Sequence, residues 1–279
     1  MRTFVKVWIG IALMAFGFGI AILGIAFVVG NSREALAETS FRESYKDVES
    51  INLQVAYGQV IIQSGDTFSI DASHVAENSL KSYVENGTWY IEENYYTNRS
   101  VFGFNISLGN IGRWNRDYNP KIVITVPESF QAESFQIEVD AGDVQIDSIN
   151  AKEGEISVGA GRVTVDHIKI ENESRYSVDA GKMTLNDVDL KDINLSCGVG
   201  QVTVKGKLTG NNDISCDLGD IELYLEGDSK DYSYDINSDI GNITVDGRKY
   251  YNGLSSIDNE TGNNLNLDCG IGKITVDFQ

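Results

Sequence analysis

Proline and histidine each occur only twice, and cysteine only three times, in the 279 residues of this chain. So few prolines are typical of a chain whose backbone N–H groups are nearly all used in strands. Neither His74 nor His167 lies beside a repeated serine, cysteine or aspartate, so no nucleophile–base pair is present. The cysteines lack zinc-ligand spacing. We therefore predict that the chain is not an enzyme and binds no metal or cofactor.

Positive charge is also scarce, because 22 Lys and Arg residues stand against 41 Asp and Glu, a net charge of −19. Residues 31–279 hold 20 basic and 41 acidic groups, which gives −21 (20 − 41). Such a field repels nucleic-acid phosphates and anionic lipid. We expect no nucleic-acid partner, whereas cations, basic peptides and neutral glycans remain compatible with this charge.

A single long apolar run is present, because residues 7–30 carry no charge. A helix of that length crosses the roughly 30 Å hydrocarbon core of a bilayer. Arg2 and Lys6 precede the run, and positive-inside bias places them in the cytoplasm and the rest of the chain outside the cell. We predict a single-pass protein of the cell membrane. The alternative is secretion after cleavage near Ala37, although the run is longer than the apolar region of a usual signal peptide, which has about 7–15 residues.

A glycine-centred repeat dominates the rest of the chain. Val139-Asp-Ala-Gly-Asp-Val-Gln-Ile146 recurs as Val158-Gly-Ala-Gly-Arg-Val-Thr-Val165, and six further copies have the same form. The central glycines are Gly58, Gly142, Gly161, Gly181, Gly200, Gly219, Gly241 and Gly272. From Gly142 onward their spacings are 19, 20, 19, 19, 22 and 31. A period near 20 indicates one coil of a β-helix.

Apolar residues keep a fixed register relative to each glycine. They stand five, three and one positions before it and two and four positions after it, which predicts two short strands per copy. We expect a bend at each glycine, with glycine supplying the dihedral angles and all five apolar positions facing inward. The predicted fold class is all-β: a single-stranded parallel β-helix, or solenoid, with glycine-centred coils of about 19–20 residues. One N-terminal transmembrane helix precedes it.

Four segments are predicted along the chain. They are the cytoplasmic N-terminus and anchor (1–30), a stalk (31–48), an irregular β region (49–130) and the solenoid repeats (131–279). Within the irregular region, strands are expected at 50–55, 60–63 and 121–126. Asn86-Gly87 predicts a hairpin over residues 80–93. Residues 94–119 show no alternation and are expected to form an insertion.

Three sets of repeat positions first suggest chemistry. Cys197, Cys216 and Cys269 share a column with valines, which predicts small buried residues; a Cys197–Cys216 disulfide is conceivable, but parallel stacking suits its geometry poorly. Aspartates two positions before the glycine are either Ca²⁺ ligands or solvated turn residues: Asp140, Asp179, Asp217 and Asp239. Threonines three positions after it either bind an ordered lattice or simply suit an exposed strand: Thr164, Thr184, Thr203, Thr244 and Thr275.

The insertion differs in composition from the rest of the chain. It contains six aromatic residues and has a net charge of +2. We predict that Arg99, Arg113, Trp114 and Arg116 form a binding site for a glycan, a peptide or lipid headgroups. The alternative is a lid that packs its aromatic side chains over the first coil.

A hydrophobic helix, a β region ending in Lys121-Ile-Val-Ile-Thr-Val-Pro127 and iterated Val-x-x-Gly-x-Val-x-Val coils together resemble the bacterial putative-adhesin family. The resemblance covers roughly residues 48–279. It implies a β-solenoid of unknown function at the cell envelope, in membrane-anchored proteins of low-GC Gram-positive bacteria and often beside envelope-stress regulators. The family has no established catalytic residues. The longer spacing between Gly241 and Gly272 departs from its pattern.

The chain is therefore expected to be an extracellular binding, adhesion or scaffold module of the envelope-stress response, with an envelope glycan or protein as its ligand. One alternative is a cell-wall polysaccharide lyase or glycosidase, although the sequence shows no cluster of acidic and basic groups for it. Another is a self-assembling surface scaffold. Because the last repeat strand ends at Gln279, we expect an open edge on the C-terminal coil that pairs with another copy.

Overall fold

The computed structural model describes residues 38–76, 79–93, 120–250 and 253–279. These residues form 22 strands and one short 3-10 helix, so the all-β prediction is confirmed. Within these ranges no helix has the length and apolarity needed to cross a bilayer. The predicted anchor (7–30) and the insertion (94–119) lie outside the described residues.

The strands before the regular repeat are β1 (Glu38–Tyr45), β2 (Ser50–Val55), β3 (Gln59–Gly65), β4 (Phe68–Ala76), β5 (Leu80–Glu85), β6 (Thr88–Glu93) and β7 (Lys121–Pro127). The repeat contains β8 (Ala132–Val139), β9 (Asp143–Val158), β10 (Arg162–Ile170), β11 (Ser174–Val178), β12 (Lys182–Lys191), β13 (Ile193–Cys197), β14 (Gln201–Thr209), β15 (Asn211–Cys216) and β16 (Asp220–Leu225). After the 3-10 helix (Ser229–Asp231) come β17 (Ser233–Ser238), β18 (Asn242–Val245), β19 (Arg248–Tyr250), β20 (Gly253–Ile257), β21 (Asn264–Cys269) and β22 (Lys273–Phe278).

The strands form stacked coils, each with one strand before the bend and one after it. In chain order these are coil 1 (β2, β3), coil 2 (β6, β7), coil 3 (β8, β9), coil 4 (β9, β10), coil 5 (β11, β12), coil 6 (β13, β14), coil 7 (β15, β16), coil 8 (β17, β18) and coil 9 (β21, β22). Neighbouring coils pair in parallel; Val163, for example, pairs with Val144 and Met183, at offsets of 19 and 20 residues. The glycine-centred, solenoid-like stack is thus confirmed.

Columns of like residues fill the interior. The column two positions after the bend contains Ile122, Val60, Val144, Val163, Met183, Val202, Ile221, Ile274 and Ile243, and every one of these side chains is buried. Burying each such side chain contributes about 1.5–3 kcal/mol. Because a single coil cannot cover its own inward face, this stabilisation depends on the coils above and below it.

Close approach between coils is what requires glycine at the bends. A Cβ atom on Gly161 would lie 2.3 Å from the carbonyl oxygen of Gly142, and one on Gly200 would lie 2.3 Å from that of Gly181. Among the repeat glycines only Gly58 has a positive φ, of 104°. The prediction that glycine supplies unusual dihedral angles is therefore wrong for the other bends, where contact with the neighbouring coil excludes a side chain.

The coils do not stack in chain order at the C-terminal end. Coil 9 lies between coils 7 and 8, because β21 pairs in parallel with β15 and β17, and β22 with β16 and β18. The 31-residue spacing before Gly272 accommodates this reversal. The expected open edge on the C-terminal coil is therefore wrong, since both of its sides are paired.

The N-terminal end has a matching reversal. Coil 1 lies between coils 2 and 3, because β2 pairs with β6 and β8, and β3 with β7 and β9. The stack thus extends into the region expected to be irregular. The order of coils in space is 2–1–3–4–5–6–7–9–8.

Antiparallel strands cover both ends of this stack. At coil 2, β5 pairs with β6, β4 with β7, and β1 with β4; at coil 8, β20 pairs with β17 and β19 with β18. The hairpin predicted over 80–93 is confirmed, with positive φ at Asn86 and Gly87. Residues 38–45, expected in the stalk, form β1 instead. These strands cover the edges that coils 2 and 8 would otherwise present at the ends of the stack.

Candidate functional site

The three cysteines form a continuous buried column. Cys197 pairs in register with Cys216, Cys216 with Cys269, and Cys269 with Ser238. All three are free thiols, and burial raises the pKa of Cys269 to about 11. The prediction of small buried residues is confirmed. The contact between Cys216 and Cys269 could not be foreseen, because it depends on the position of coil 9.

Aspartates at the bends alternate with glycines along the stack. In spatial order the column two positions before the bend glycine reads Asp140, Gly159, Asp179, Gly198, Asp217, Gly270 and Asp239. Two coil spacings, about 9.6 Å, separate successive carboxylates, and this is too far for shared Ca²⁺ ligands at 2.3–2.6 Å from the ion. The described part of the chain holds no group of three His, Cys, Asp or Glu residues suited to a metal ion.

The threonine row is interrupted. Thr164, Thr184 and Thr203 are in register on coils 4 to 6, and Thr244 pairs with Thr275 on coils 8 and 9, but a glutamate of coil 7 separates the two groups. The row is half-buried. It therefore offers no continuous hydroxyl lattice.

A concave surface of about 690 Å³ lies on the strands that precede the bends, at the coil 7–9–8 end. We call it the polar groove. Its polar lining consists of three serines, three carboxylates and three amides: Ser215, Ser255, Ser256, Asp213, Asp235, Asp268, Asn194, Asn237 and Asn266. Leu254 of β20, which is 86% exposed, also lines it. None of the described residues that line the groove is basic, so the field of these residues disfavours polyanions.

Amide and carboxylate groups alternate across four neighbouring strands of this groove, and a serine of β20 continues the row. Pairing places Asn194, Asp213, Asn266, Asp235 and Ser256 in one row. Within it, Nδ2 of Asn266 donates to Oδ1 of Asp213 at 2.6 Å. Each Asn side chain offers both a donor and an acceptor, and each carboxylate accepts hydrogen bonds. The row is therefore suited to a ligand with many hydroxyl groups.

Glu93 is a buried acidic residue whose place at the bend of coil 1 was not predicted from the sequence. The preceding residue, Glu92, pairs with Gln54 of β2, so Glu93 lies beside Val55 in an inward-facing column. The side chain of Glu93 is only 6% exposed. Its Oε2 accepts hydrogen bonds from the N–H groups of Ala56 and Tyr57, at 3.1 and 2.9 Å. In coils 3 to 7 the N–H groups at the same two positions, two and one residues before the bend glycine, donate to backbone carbonyl groups of the neighbouring coil. The carboxylate thus replaces backbone carbonyls at this bend, and burial raises its pKa to about 7.

The binding residues predicted in the insertion, Arg99, Arg113, Trp114 and Arg116, lie outside the described residues. The polar groove was not predicted. Its residues stand on the strands before four different bends, and the row alternates only because coil 9 is inserted between coils 7 and 8. The sequence signal was the polar character of the positions six residues before each glycine.

The profile of the Toastrack DUF4097 family matches residues 48–173 and 105–276, whereas no curated protein matches the chain. A solved structure described as a putative adhesin from Bacteroides fragilis aligns at 12% identity and a TM-score of 0.45, over 86% of this chain and 97% of that one. A putative cell adhesion protein from Clostridium sporogenes aligns at 12% and 0.33, over 87% and 100%. A putative lipid binding protein from Parabacteroides distasonis aligns at 12% and 0.35, over 88% and 98%.

Proposed function

The chain belongs to the Toastrack DUF4097 family, and we propose that it is a surface binding module whose polar groove takes a neutral glycan. The alternating row of amides and carboxylates carries this proposal. Glycan hydroxyls donate to carboxylates and exchange hydrogen bonds with amides, while the exposed Leu254 offers apolar contact to a sugar ring. The net charge of −19 disfavours anionic polymers, which leaves neutral chains as the matching class.

The module is held outside the cell by residues 7–30, with Arg2 and Lys6 in the cytoplasm. The uncharged run of 24 residues and the positive flank before it support this placement. Alkaline carbonate extraction of membranes tests it, because an anchored chain stays in the pellet. Recovery of a soluble product that begins after Ala37 would contradict the anchor and favour cleavage and secretion.

The test of binding is retention of neutral cell-wall glycan fragments by residues 31–279. We expect Asp235→Ala to weaken retention about tenfold, because one charge-assisted hydrogen bond contributes about 1.5–3 kcal/mol. Asp179→Ala removes an exposed carboxylate from the bends and is the matched control, with no expected effect. Equal retention by both variants would contradict the groove as the binding face.

A second candidate function is glycan cleavage without metal. Asp213 and Asp235 flank Asn266 at two strand spacings, about 9.6 Å, near the upper limit of about 9.5 Å between the carboxyl groups of inverting glycosidases. The same incubation separates the two functions. Binding leaves the number of reducing ends unchanged, whereas cleavage releases new reducing ends that Asp235→Asn abolishes.

A further inference from the structure

The bends of the solenoid line up as one long edge with three exposed columns. We call it the turn edge and number its columns by position relative to the bend glycine: −2, −1 and +1. The turn edge runs through coils 1–3–4–5–6–7–9–8, about 34 Å at ~4.8 Å per coil. A groove of about 840 Å³ lies between columns −1 and +1 over coils 1 and 3 to 6, with the bend glycines as its floor.

Column −1 was predicted to face inward, and this prediction is wrong. In spatial order it contains Tyr57, Ala141, Ala160, Ala180, Val199, Leu218, Ile271 and Ile240. The last four are 63%, 55%, 54% and 78% exposed. Alanines therefore line the groove on coils 3 to 5, with Tyr57 at its coil 1 end and Val199 at its coil 6 end. Large apolar side chains form a ridge on coils 6, 7, 9 and 8. A contiguous exposed apolar row of this kind indicates an interaction surface.

Charged residues on either side of this column also follow an order. Column −2 reads Ala56, Asp140, Gly159, Asp179, Gly198, Asp217, Gly270 and Asp239. Column +1 reads Gln59, Asp143, Arg162, Lys182, Gln201, Asp220, Lys273 and Asn242. Neither column has a uniform sign, so the turn edge has a pattern that a partner must match.

We propose that the turn edge binds a second copy of this chain in antiparallel orientation. The two-fold axis is perpendicular to the stack and passes between coils 5 and 6. Coil 5 of one copy then faces coil 6 of the other, coil 4 faces coil 7, coil 3 faces coil 9, and coil 1 faces coil 8. The ridge of each copy thereby enters the groove of the other, as an isologous interface requires.

This axis makes all three columns complementary. In column −1, Leu218 of one copy faces Ala160 of the second copy. Val199 and Ile271 also face alanines, whereas Ile240 at the end of the ridge makes an apolar contact with Tyr57. In column −2 every aspartate faces a glycine or an alanine. In column +1, Arg162 faces Asp220 of the second copy, and Asp143 faces Lys273 of the second copy. The remaining +1 pairs are Lys182 with Gln201 and Gln59 with Asn242, so no like charges meet.

Other registers lose this match. Moving the axis onto coil 6 places Asp179 opposite Asp217 and Arg162 opposite Lys273 of the second copy. Moving it onto coil 5 places Asp143 opposite Asp220 of the second copy. A parallel arrangement packs Leu218 on its own counterpart and leaves the alanine groove empty. The antiparallel register centred between coils 5 and 6 is therefore favoured by both charge and shape.

The interface is long and narrow, so it buries less than the ~800 Å² per partner that is usual for stable complexes. We accordingly expect a dissociation constant in the micromolar range. The proposal does not depend on the polar groove, which lies on a different face of the coils.

Cross-linking of the full chain, purified in detergent as two differently tagged forms, tests the register. One form has Ala160→Cys and the other Leu218→Cys, and the three native cysteines are buried. A short bis-maleimide should join the mixed pair at least tenfold more than either form with itself, because like positions lie three coils apart. Preferential joining of like positions would establish a parallel pair and overturn the proposal. No joining of any pair at the highest soluble concentration would also overturn it.

Charge reversal tests the same contacts independently of the apolar ridge. We expect Arg162→Asp in both tagged forms to lower the yield about tenfold, and Asp220→Arg added to the same chains to restore it. Lys207→Asp, a charge reversal at an exposed basic residue of β14 away from the turn edge, is the matched control and should leave the yield unchanged. Failure of the reciprocal exchange to restore the yield, or equal loss with Lys207→Asp, would contradict the assigned pairing.

Discussion

The inward and outward columns of this solenoid follow opposite rules. Inside, like residues stack on like, as in the column of Val, Ile and Met two positions after the bend. Outside, the polar groove alternates amide with carboxylate, and column −2 alternates aspartate with glycine. Apolar contact is non-directional, whereas like charges directly opposite each other destabilise a sheet. The interior therefore sets the period of the coils, and the outward columns favour one order of stacking.

The position of coil 9 illustrates this difference. Stacking in chain order would place Asp213 beside Asp235 in the polar groove and Asp217 beside Asp239 at the bends. Insertion of coil 9 places Asn266 between the first pair and a glycine between the second. The inward column two positions after the bend is indifferent to the exchange, because either order puts isoleucine on isoleucine.

The largest effect is expected from breaking an inward column. Ile221→Ala should lower the free energy of unfolding by about 2–5 kcal/mol, because the cavity lies between two coils and cannot collapse. Thr203→Ala, on the outward face of the neighbouring coil, should change it by less than about 0.5 kcal/mol. Urea unfolding measures both. If both variants lost a similar free energy of unfolding, inward and outward columns would not differ in their contribution to stability.

Adding a methyl group at a bend should have the next largest effect. Gly161→Ala places a Cβ against the carbonyl oxygen of Gly142, so we expect a loss of about 1–3 kcal/mol. Gly262→Ala is the matched control, because nothing lies within 4 Å of its Cβ position. A Gly161→Ala protein as stable as the control would refute the close approach of the coils.

Glu93 provides a pH-dependent test at the bend of coil 1. Burial raises its pKa from 4.5 to about 7. Between these two pH values the folded state therefore keeps a proton on Glu93 that the unfolded state has released. Its contribution to stability is therefore complete below about pH 4.5 and is lost as the pH rises to about 7. Glu93→Gln should match the wild type at pH 4 and exceed it by about 1–3 kcal/mol at pH 8.

The control for this pH test is Glu138→Gln, at an exposed carboxylate on the neighbouring coil. Thermal unfolding of the three proteins across this pH range supplies the comparison. A stability difference between wild type and Glu93→Gln that stays constant with pH would show that the pKa of Glu93 is the same in the folded and unfolded states, which would contradict the prediction.

The smallest effect is expected from an outward column. Asn266→Asp would place three carboxylates on adjacent strands, because its neighbours are Asp213 and Asp235. We expect the free energy of unfolding to fall by about 0.5–1 kcal/mol, and by less at high salt, where the repulsion is screened. Asn194→Asp is the matched control. Residue 194 lies between Asp213 and Arg175, so attraction to the arginine offsets repulsion by the aspartate, and we expect little change in the free energy of unfolding. A loss independent of salt would indicate a cause other than charge.

Local patterns made much of the fold predictable. The period of the glycines, the buried columns and the hairpin at Asn86 are all properties of short stretches of sequence. The order of the coils is not, because each coil presents nearly the same interior to any neighbour. The exposure of Leu218 was missed because two successive residues at the bend point outward, which interrupts the alternation. Glu93 was missed because its role depends on a bend contributed by another coil.

Electron–electron distance measurements between spin labels test the order of the coils most directly. Labels at Thr164 and Thr275 span coils 4 and 9, and labels at Thr164 and Thr244 span coils 4 and 8. The order 4–5–6–7–9–8 predicts about 19 Å for the first pair and about 24 Å for the second, at ~4.8 Å per coil. The reverse result, with Thr244 nearer to Thr164 than Thr275 is, would contradict the inserted position of coil 9.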